Sequence, residues 1–308
     1  MTKAIILTLA GAALLAGTLA EARPGDRLRE RLAGRGTTTA DASVPQPTPK
    51  QTMAYGSDRQ QQLDFYPPAN GNRRAPLIVF VHGGGWKRGS KDNADGNWKA
   101  PHYTASNYAY ASINYRLVPE ATVEQQGADV AAALRYLIDN AGRLGFDPGR
   151  IVLMGHSAGA HLVALVGTDE QYLRGAGLSF AALDGVLPID GACYDVERQI
   201  SEGGNFMHDT YVQAFGTDPA RQRALSPTLH AAAPNAPAFL IIHVQRKDGV
   251  AQSMALQAAL RKGGTRAERE EFEGRGLKGH GEINRQLGNP DYAATPVVDA
   301  WLKRVFGT

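Results

Sequence analysis

Apolar and polar positions fall along the chain in short blocks that read alternately as strand and helix. The purest apolar block is Leu77–Val81, with no polar position, as expected of a strand buried on both faces. Residues 151–154 and Ala238–Val244 repeat that pattern. Weaker strand signals surround them. Tyr55 and residues 63–66 suggest a starting hairpin ended by Pro67-Pro68, and a polar stretch at 90–101 leads to a strand within 108–115. Gly185–Ile189 is a strand in which Pro188 removes a ladder hydrogen bond unless it sits at the end, and the charged segment 267–272 suits a sheet edge.

Helical periodicity fills the gaps. Val130, Leu134, Leu137 and Ile138 share one helical face, and Gly142, Gly145 and Pro148 stop it. Residues 250–260 read as a helix closed by Gly263-Gly264. Pro296 opens a last helix with an apolar stripe of Val297, Val298, Trp301, Leu302, Val305 and Phe306. Strands alternating with helices predict an α/β fold, a mostly parallel doubly wound sheet covered on both faces. Residues 195–234 break the alternation with Gly203-Gly204, aromatics and prolines, and read as an insertion over the carboxyl edge of the sheet, where such segments shape pockets.

The first 52 residues stand apart from this pattern. Lys3 precedes an uncharged apolar run at 4–20, and Ala20-Glu21-Ala22 is an A-x-A cleavage pattern, so residues 1–22 read as a secretory signal peptide. Export to the periplasm or the exterior follows, with no stable membrane insertion after cleavage; a retained anchor is the competing reading. Residues 23–52, with several arginines and prolines at 45, 47 and 49, read as a disordered tether, which places the folded domain at 53–308. A hydrophobic content of 43% and a charged content of 20% suit a globular protein with a sizeable core. The net charge of +3 is too small to argue for nucleic acid, and no aromatics cluster beside basic runs. The single cysteine, Cys193, has no internal disulfide partner and reads as a small buried residue.

The 151–154 strand runs directly into Gly155-His156-Ser157-Ala158-Gly159 and then an Ala/Leu/Val-rich segment. Ten serines and 35 glycines predict roughly 0.13 G-x-S-x-G matches by chance, so the strand-to-helix context gives the motif its meaning. A serine hydroxyl needs a base to take its proton, and the base needs a carboxylate to orient it. In a doubly wound fold these follow the serine in the order acid, then histidine, at the carboxyl ends of later strands. Of eight histidines, His82 and His102 precede the serine, His156 and His161 belong to the turn and its helix, His243 lies inside a strand, and His208 and His230 lie in the insertion. His280 remains, on a loop between the last strand and the last helix. Asp248 follows the Ala238–Val244 strand and is the acid candidate, with a helix-capping or turn role as its alternative; Glu273 and Glu282 rank below it.

After the Leu77–Val81 strand comes His82-Gly83-Gly84-Gly85-Trp86, a run able to turn its N–H groups inward. No Gly-Lys-Ser/Thr follows, so a phosphate cradle is not indicated, and an oxyanion loop acting with the Ala158 N–H fits better. No histidine or carboxylate spacing suggests a metal, and no cofactor motif is present.

These residues, in this order, resemble the α/β-hydrolase superfamily, in its HGGG-type carboxylesterase and lipase branch; His82–Trp86 is also similar to the H-G-G-x-W pattern of kynurenine-formamidase-like members. The resemblance runs from about Leu63 to Phe306. It implies Ser157 as nucleophile, His280 as general base, Asp248 as its orienter, and oxyanion donors at Gly84, Gly85 and Ala158, with His82 supporting the loop. The reaction expected is hydrolysis of a small-molecule or polymer-borne carboxylic ester through an acyl-enzyme, with Trp86 walling the pocket and the insertion setting selectivity. Aryl formamides and feruloyl or acetyl polysaccharides are alternative substrates. A non-catalytic binding protein on the same fold is the alternative of another class.

Overall fold

The computed structural model describes residues 50–308 apart from 95–97 and 203–204. The signal peptide, its cleavage site and nearly all of the predicted tether lie outside the described residues. Eight strands form one sheet in the order β1-β2-β4-β3-β5-β6-β7-β8, namely β1 (Gln51–Ala54), β2 (Gln62–Tyr66), β3 (Leu77–Val81), β4 (Ala109–Ile113), β5 (Ile151–His156), β6 (Gly185–Ile189), β7 (Ala238–Val244) and β8 (Arg266–Phe272). β2 pairs antiparallel with β1 and β4, and every other pairing is parallel. The folded domain therefore begins earlier than expected: β1 starts at Gln51, inside the predicted tether. Its side chains are mostly exposed, so no apolar pattern marks it, and main-chain pairing to β2 with a Thr52 Oγ1–Asp64 Oδ1 bond of 2.6 Å makes it a strand.

The central strands are apolar throughout because successive side chains face opposite cores. Leu77, Val79, Val81, Ile151 and Leu153 pack on one face against Val130 and Leu134 of one helix and Leu162 and Val166 of another. Ile78, Phe80, Val152 and Met154 point the other way, against Val298, Trp301 and Leu302. Burying each such side chain contributes about 1.5–3 kcal/mol before conformational entropy is set against it.

In chain order the helices are α1 (Lys99–Ala105), α2 (Val123–Asp139), α3 (Ala141–Leu144), α4 (Ala158–Thr168), α5 (Gln171–Gly175), α6 (Val196–Glu202), α7 (Asn205–Phe215), α8 (Pro219–Ala224), α9 (Pro227–His230), α10 (Lys247–Lys262), α11 (Gly276–Gln286) and α12 (Ala294–Phe306). A capping box between Thr122 and Gln125 starts α2. α1 begins at the end of the polar stretch at 90–101 and runs past it. Pro101 is its third residue, where the missing N–H has no intrahelical acceptor to lose. The segment at 195–234 is largely helical, holding α6 to α9. The β6–β7 ladder joins Val186 to Phe239 and Ile189 to Ile242, with a gap that includes Pro188. No helix among the described residues is long and apolar enough to cross a membrane.

The chain leaves β3 toward β4 on one side, and β5 then takes β3's other side. Loops leaving the carboxyl ends of β3 and β5 thus diverge at a topological switch point, the crevice where α/β sheets bind ligands.

Candidate active site

Ser157 is the only residue between β5 and α4 and has φ 57° and ψ −117°. A serine there is held in a sparsely populated conformation at a cost of about 1–3 kcal/mol. Its N–H donates to Ile189 O at 3.0 Å, and its carbonyl accepts the His161 N–H at 3.2 Å. The turn also needs glycine at position 159. A Cβ there would lie 2.1 Å from the Val81 carbonyl oxygen, because the first turn of α4 abuts the end of β3.

The loop after β3 crosses directly over this turn. A Cβ on Gly83 would stand 2.9 Å from Ser157 Cβ, and Gly84 and Gly85 have φ of 129° and 62°. Among the described residues, no protein acceptor takes the amide hydrogens of Gly84, Gly85 or Ala158. His82 braces the loop: its ring stacks on Tyr115 at 4.4 Å, its Nδ1 meets Gly83 O at 2.7 Å, and Tyr115 Oη donates to His82 O at 3.0 Å. Burial lowers the His82 imidazolium pKa to about 4, so the ring is neutral at pH 7 and Nδ1–H is the donor.

His280 lies within α11 rather than on a loop. Its Nδ1 hydrogen-bonds Asp190 Oδ2 at 2.5 Å. Asp190 follows β6 immediately and is fully buried, with φ 44°; its N–H donates to Ile242 O at 2.7 Å, and its Oδ1 accepts the Val244 N–H at 3.2 Å. Burial alone would raise the carboxyl pKa, but the bond from His280 and the charge of Arg246 hold it below the ordinary carboxylate range.

The carboxylate paired with His280 is therefore Asp190, and the expectation of Asp248 is corrected. β7 passes through Gln245 and Arg246 straight into α10, which places Asp248 in that helix's first turn. Its side chain is 35% exposed, and it accepts from Gln199 Nε2 at 3.4 Å beside a separate cavity that Arg198 and Lys247 also line. Asp190 lies one strand before β7, directly after β6, whose apolar run Pro188 interrupts. The signal that marks it is an aspartate directly following an apolar run, in Val186-Leu187-Pro188-Ile189-Asp190-Gly191.

Two further buried groups back His280, and neither was expected there. His156 Nε2 donates to the His280 carbonyl at 2.9 Å with the rings 4.5 Å apart, and burial followed by the His280 charge keeps its pKa well below the ordinary value. Lys99, wholly buried, donates to the Asn284 carbonyl in α11 and sits 4.9 Å over the Phe80 ring. Burial brings the Lys99 pKa down from 10.5 to about 7. Between those values the unfolded chain holds a proton the folded protein lacks, so stability rises with pH across that window and is flat below it. Relative to a Lys99→Met variant, the wild-type unfolding free energy is expected to rise by about 2 kcal/mol from pH 7 to 9. Urea unfolding at both pH values checks this, and an unchanged difference contradicts it.

Ser157 and His280 line one cavity of about 490 Å³, together with Phe80, Gly84, Gly85 and Leu277. The insertion contributes Met207 and Thr210 to its wall. Trp86 does not wall it. The indole is buried behind the loop against Tyr211 and Phe215, and its Nε1 donates to His161 Nδ1 at 3.4 Å, so it pins the insertion to the sheet. His161 Nε2 in turn donates to Leu225 O at 2.8 Å. Of the remaining histidines, His102 pairs with Asp299, His230 meets Ala224 O, and His243 is buried against Val244 O, while His208 is exposed.

Residues 63–260 match the BD-FAE family model. The chain belongs to the BD-FAE family. This places it in the carboxylesterase and lipase branch of the α/β-hydrolases. It is 32% identical over 133 residues to the isoprenylcysteine α-carbonyl methylesterase ICME of Arabidopsis thaliana, a match covering 42% of this chain and 31% of that relative. It is also 32% identical over 207 residues to esterase LipC of Mycobacterium tuberculosis, covering 64% of this chain and 51% of the relative. The chain thus spans about a third to a half of the length of these relatives. Esterase B of Lactobacillus rhamnosus has the same fold, with a TM-score of 0.72, 23% identity and 92% of both chains covered.

Proposed function

We propose that this BD-FAE protein is a serine hydrolase of carboxylic esters. The observation that carries the reading is a serine on a strained strand–helix turn sharing a cavity with a histidine whose Nδ1 is held by a buried, ionised aspartate. With Nδ1–H bound to Asp190, Nε2 is the nitrogen available for the Ser157 proton. Ser157 Oγ attacks the ester carbonyl as His280 takes that proton. The C–O bond to the alcohol then breaks as His280 protonates the leaving oxygen, and water releases the acid by the same relay. The amides of Gly84, Gly85 and Ala158 are the donors assigned to the negative oxygen of each tetrahedral intermediate. A donor fixed in place before the reaction lowers its barrier by about 2.7–4 kcal/mol.

Esterase names among the relatives support an ester over an amide, and residues 1–22 support an exported protein. The test is covalent. A phosphonate that mimics a short-chain ester is expected to abolish turnover of activated short-chain esters at one equivalent per chain, and peptide mass spectrometry is expected to find the adduct on Ser157. Full turnover after exposure, or an adduct on another residue, sinks the reading.

A further inference from the structure

The carboxylate that holds His280 is shared with a second cation. Asp190 Oδ2, 2.5 Å from His280 Nδ1, also lies 3.3 Å from Arg246 Nε. Arg246 is held in place by its Nη2, which donates to Gly191 O at 3.1 Å, and its side chain is only 14% exposed. On its outer side, Asp248 Oδ1 stands 3.9 Å from the same Nε. Charges therefore alternate outward from His280 through Asp190 and Arg246 to Asp248. Arg246 occupies the carboxyl end of β7, the place where sequence order led to the acid itself.

We infer that Arg246 is a positioning residue that divides the charge of Asp190 between itself and His280, and so weakens the hold of that carboxylate on the imidazole. The inference rests on the serine-hydrolase reading above. A buried carboxylate stabilises an imidazolium, and a cation on the same oxygen opposes that stabilisation. A guanidinium keeps its charge at every working pH, so the opposition is constant, and its fixed fork holds Asp190 in one orientation.

The other titratable groups around this pair do not replace that cation. His156, packed against the His280 ring, is held neutral by burial, as is His243 on β7. Burial raises the phenols of Tyr194 and Tyr292, the latter to about 12. Lys99 lies beyond His156 and titrates near neutrality, but it acts alike on wild type and on Arg246 variants, so it cancels in the difference between their profiles.

The experiment is the pH dependence of kcat/KM on a neutral activated ester for wild type, Arg246→Met, Arg246→Lys and Asp248→Asn, with Tm measured for each. In Arg246→Met the acid limb is expected to move up by about one pH unit, with roughly a threefold loss on the plateau. Arg246→Lys restores most of the limb position, because it returns the charge. Asp248→Asn moves the limb down by a few tenths of a unit, because it frees Arg246 from its outer counter-ion. A limb unmoved in Arg246→Met, or a lysine variant indistinguishable from the methionine variant, overturns the inference. If Arg246→Met fails to fold, Asp248→Asn decides: an acid limb that stays put or moves up overturns it. A wild type with no Ser157-dependent turnover instead refutes the hydrolase reading and the inference with it, whereas an active wild type with unmoved limbs refutes the inference alone.

Discussion

Replacing Ser157 by alanine is expected to lower kcat on activated short-chain esters by about 10⁴–10⁶-fold, with KM changed by less than about threefold. The size follows from what the hydroxyl does. In the proposed reaction it forms the covalent bond to the acyl carbon, and the one other hydroxyl side chain lining the cavity, Thr210 of α7, does not stand on the strand–helix turn. The residual rate reflects the loop donors and the ordering of substrate in the crevice, which the substitution leaves in place. Stability should change little, by about 0.5 kcal/mol or less, because alanine keeps the Cβ against Gly83 and bears the same backbone strain. Steady-state kinetics with a Tm control makes the comparison. Turnover within about tenfold of wild type would assign the chemistry to another group.

The second large effect separates two aspartates. Asp190→Asn is expected to lower kcat by about 10³–10⁴-fold, while Asp248→Asn stays within about threefold of wild type. Asp190 accepts from two donors, the Val244 N–H on Oδ1 and the His280 Nδ1–H on Oδ2. An amide has one acceptor oxygen. If that oxygen keeps Val244, the NH₂ faces His280 and forces the proton onto Nε2, the nitrogen that has to receive the Ser157 proton. The variant also leaves the guanidinium of Arg246 facing a neutral group, so a loss of about 1–3 kcal/mol in stability accompanies the loss of rate. Asp248 is partly exposed and bonds only weakly to Gln199, which is why its substitution is mild. Equal effects at the two positions, or the reverse order, would restore Asp248 as the acid.

Features written in local chemistry were legible along the chain. The apolar run at Leu77–Val81 and the nearly apolar one at Ala238–Val244, broken only by His243, marked buried strands because a strand covered on both faces admits few polar positions. Gly155-His156-Ser157-Ala158-Gly159 marked the elbow because the close approach of α4 to β3 tolerates only glycine at position 159. The order of motifs along the chain selected His280, although it lies on a helix where a loop was expected; the glycines at 276, 279 and 281 had disguised that helix. β1 leaves no apolar pattern in the sequence because an edge strand with polar side chains is defined by its neighbour's main chain.

The sequence by itself determined the doubly wound sheet and the strand-to-helix turn carrying Ser157, and its order of motifs singled out His280. These follow from short-range rules of periodicity, steric fit and chain order. Only the tertiary structure decided which carboxylate meets His280, that Arg246 shares it, that His156 and Lys99 lie behind it, and that Trp86 serves the insertion rather than the pocket. Asp190 and His280 are 90 positions apart, and the carboxyl ends of β6 and β7 each present an aspartate nearby. Local sequence cannot choose between them, because the choice depends on which side chain the turn after its strand aims at α11. At β6 the turn passes through a left-handed aspartate that points inward; at β7 the chain enters α10 at once and carries Asp248 outward.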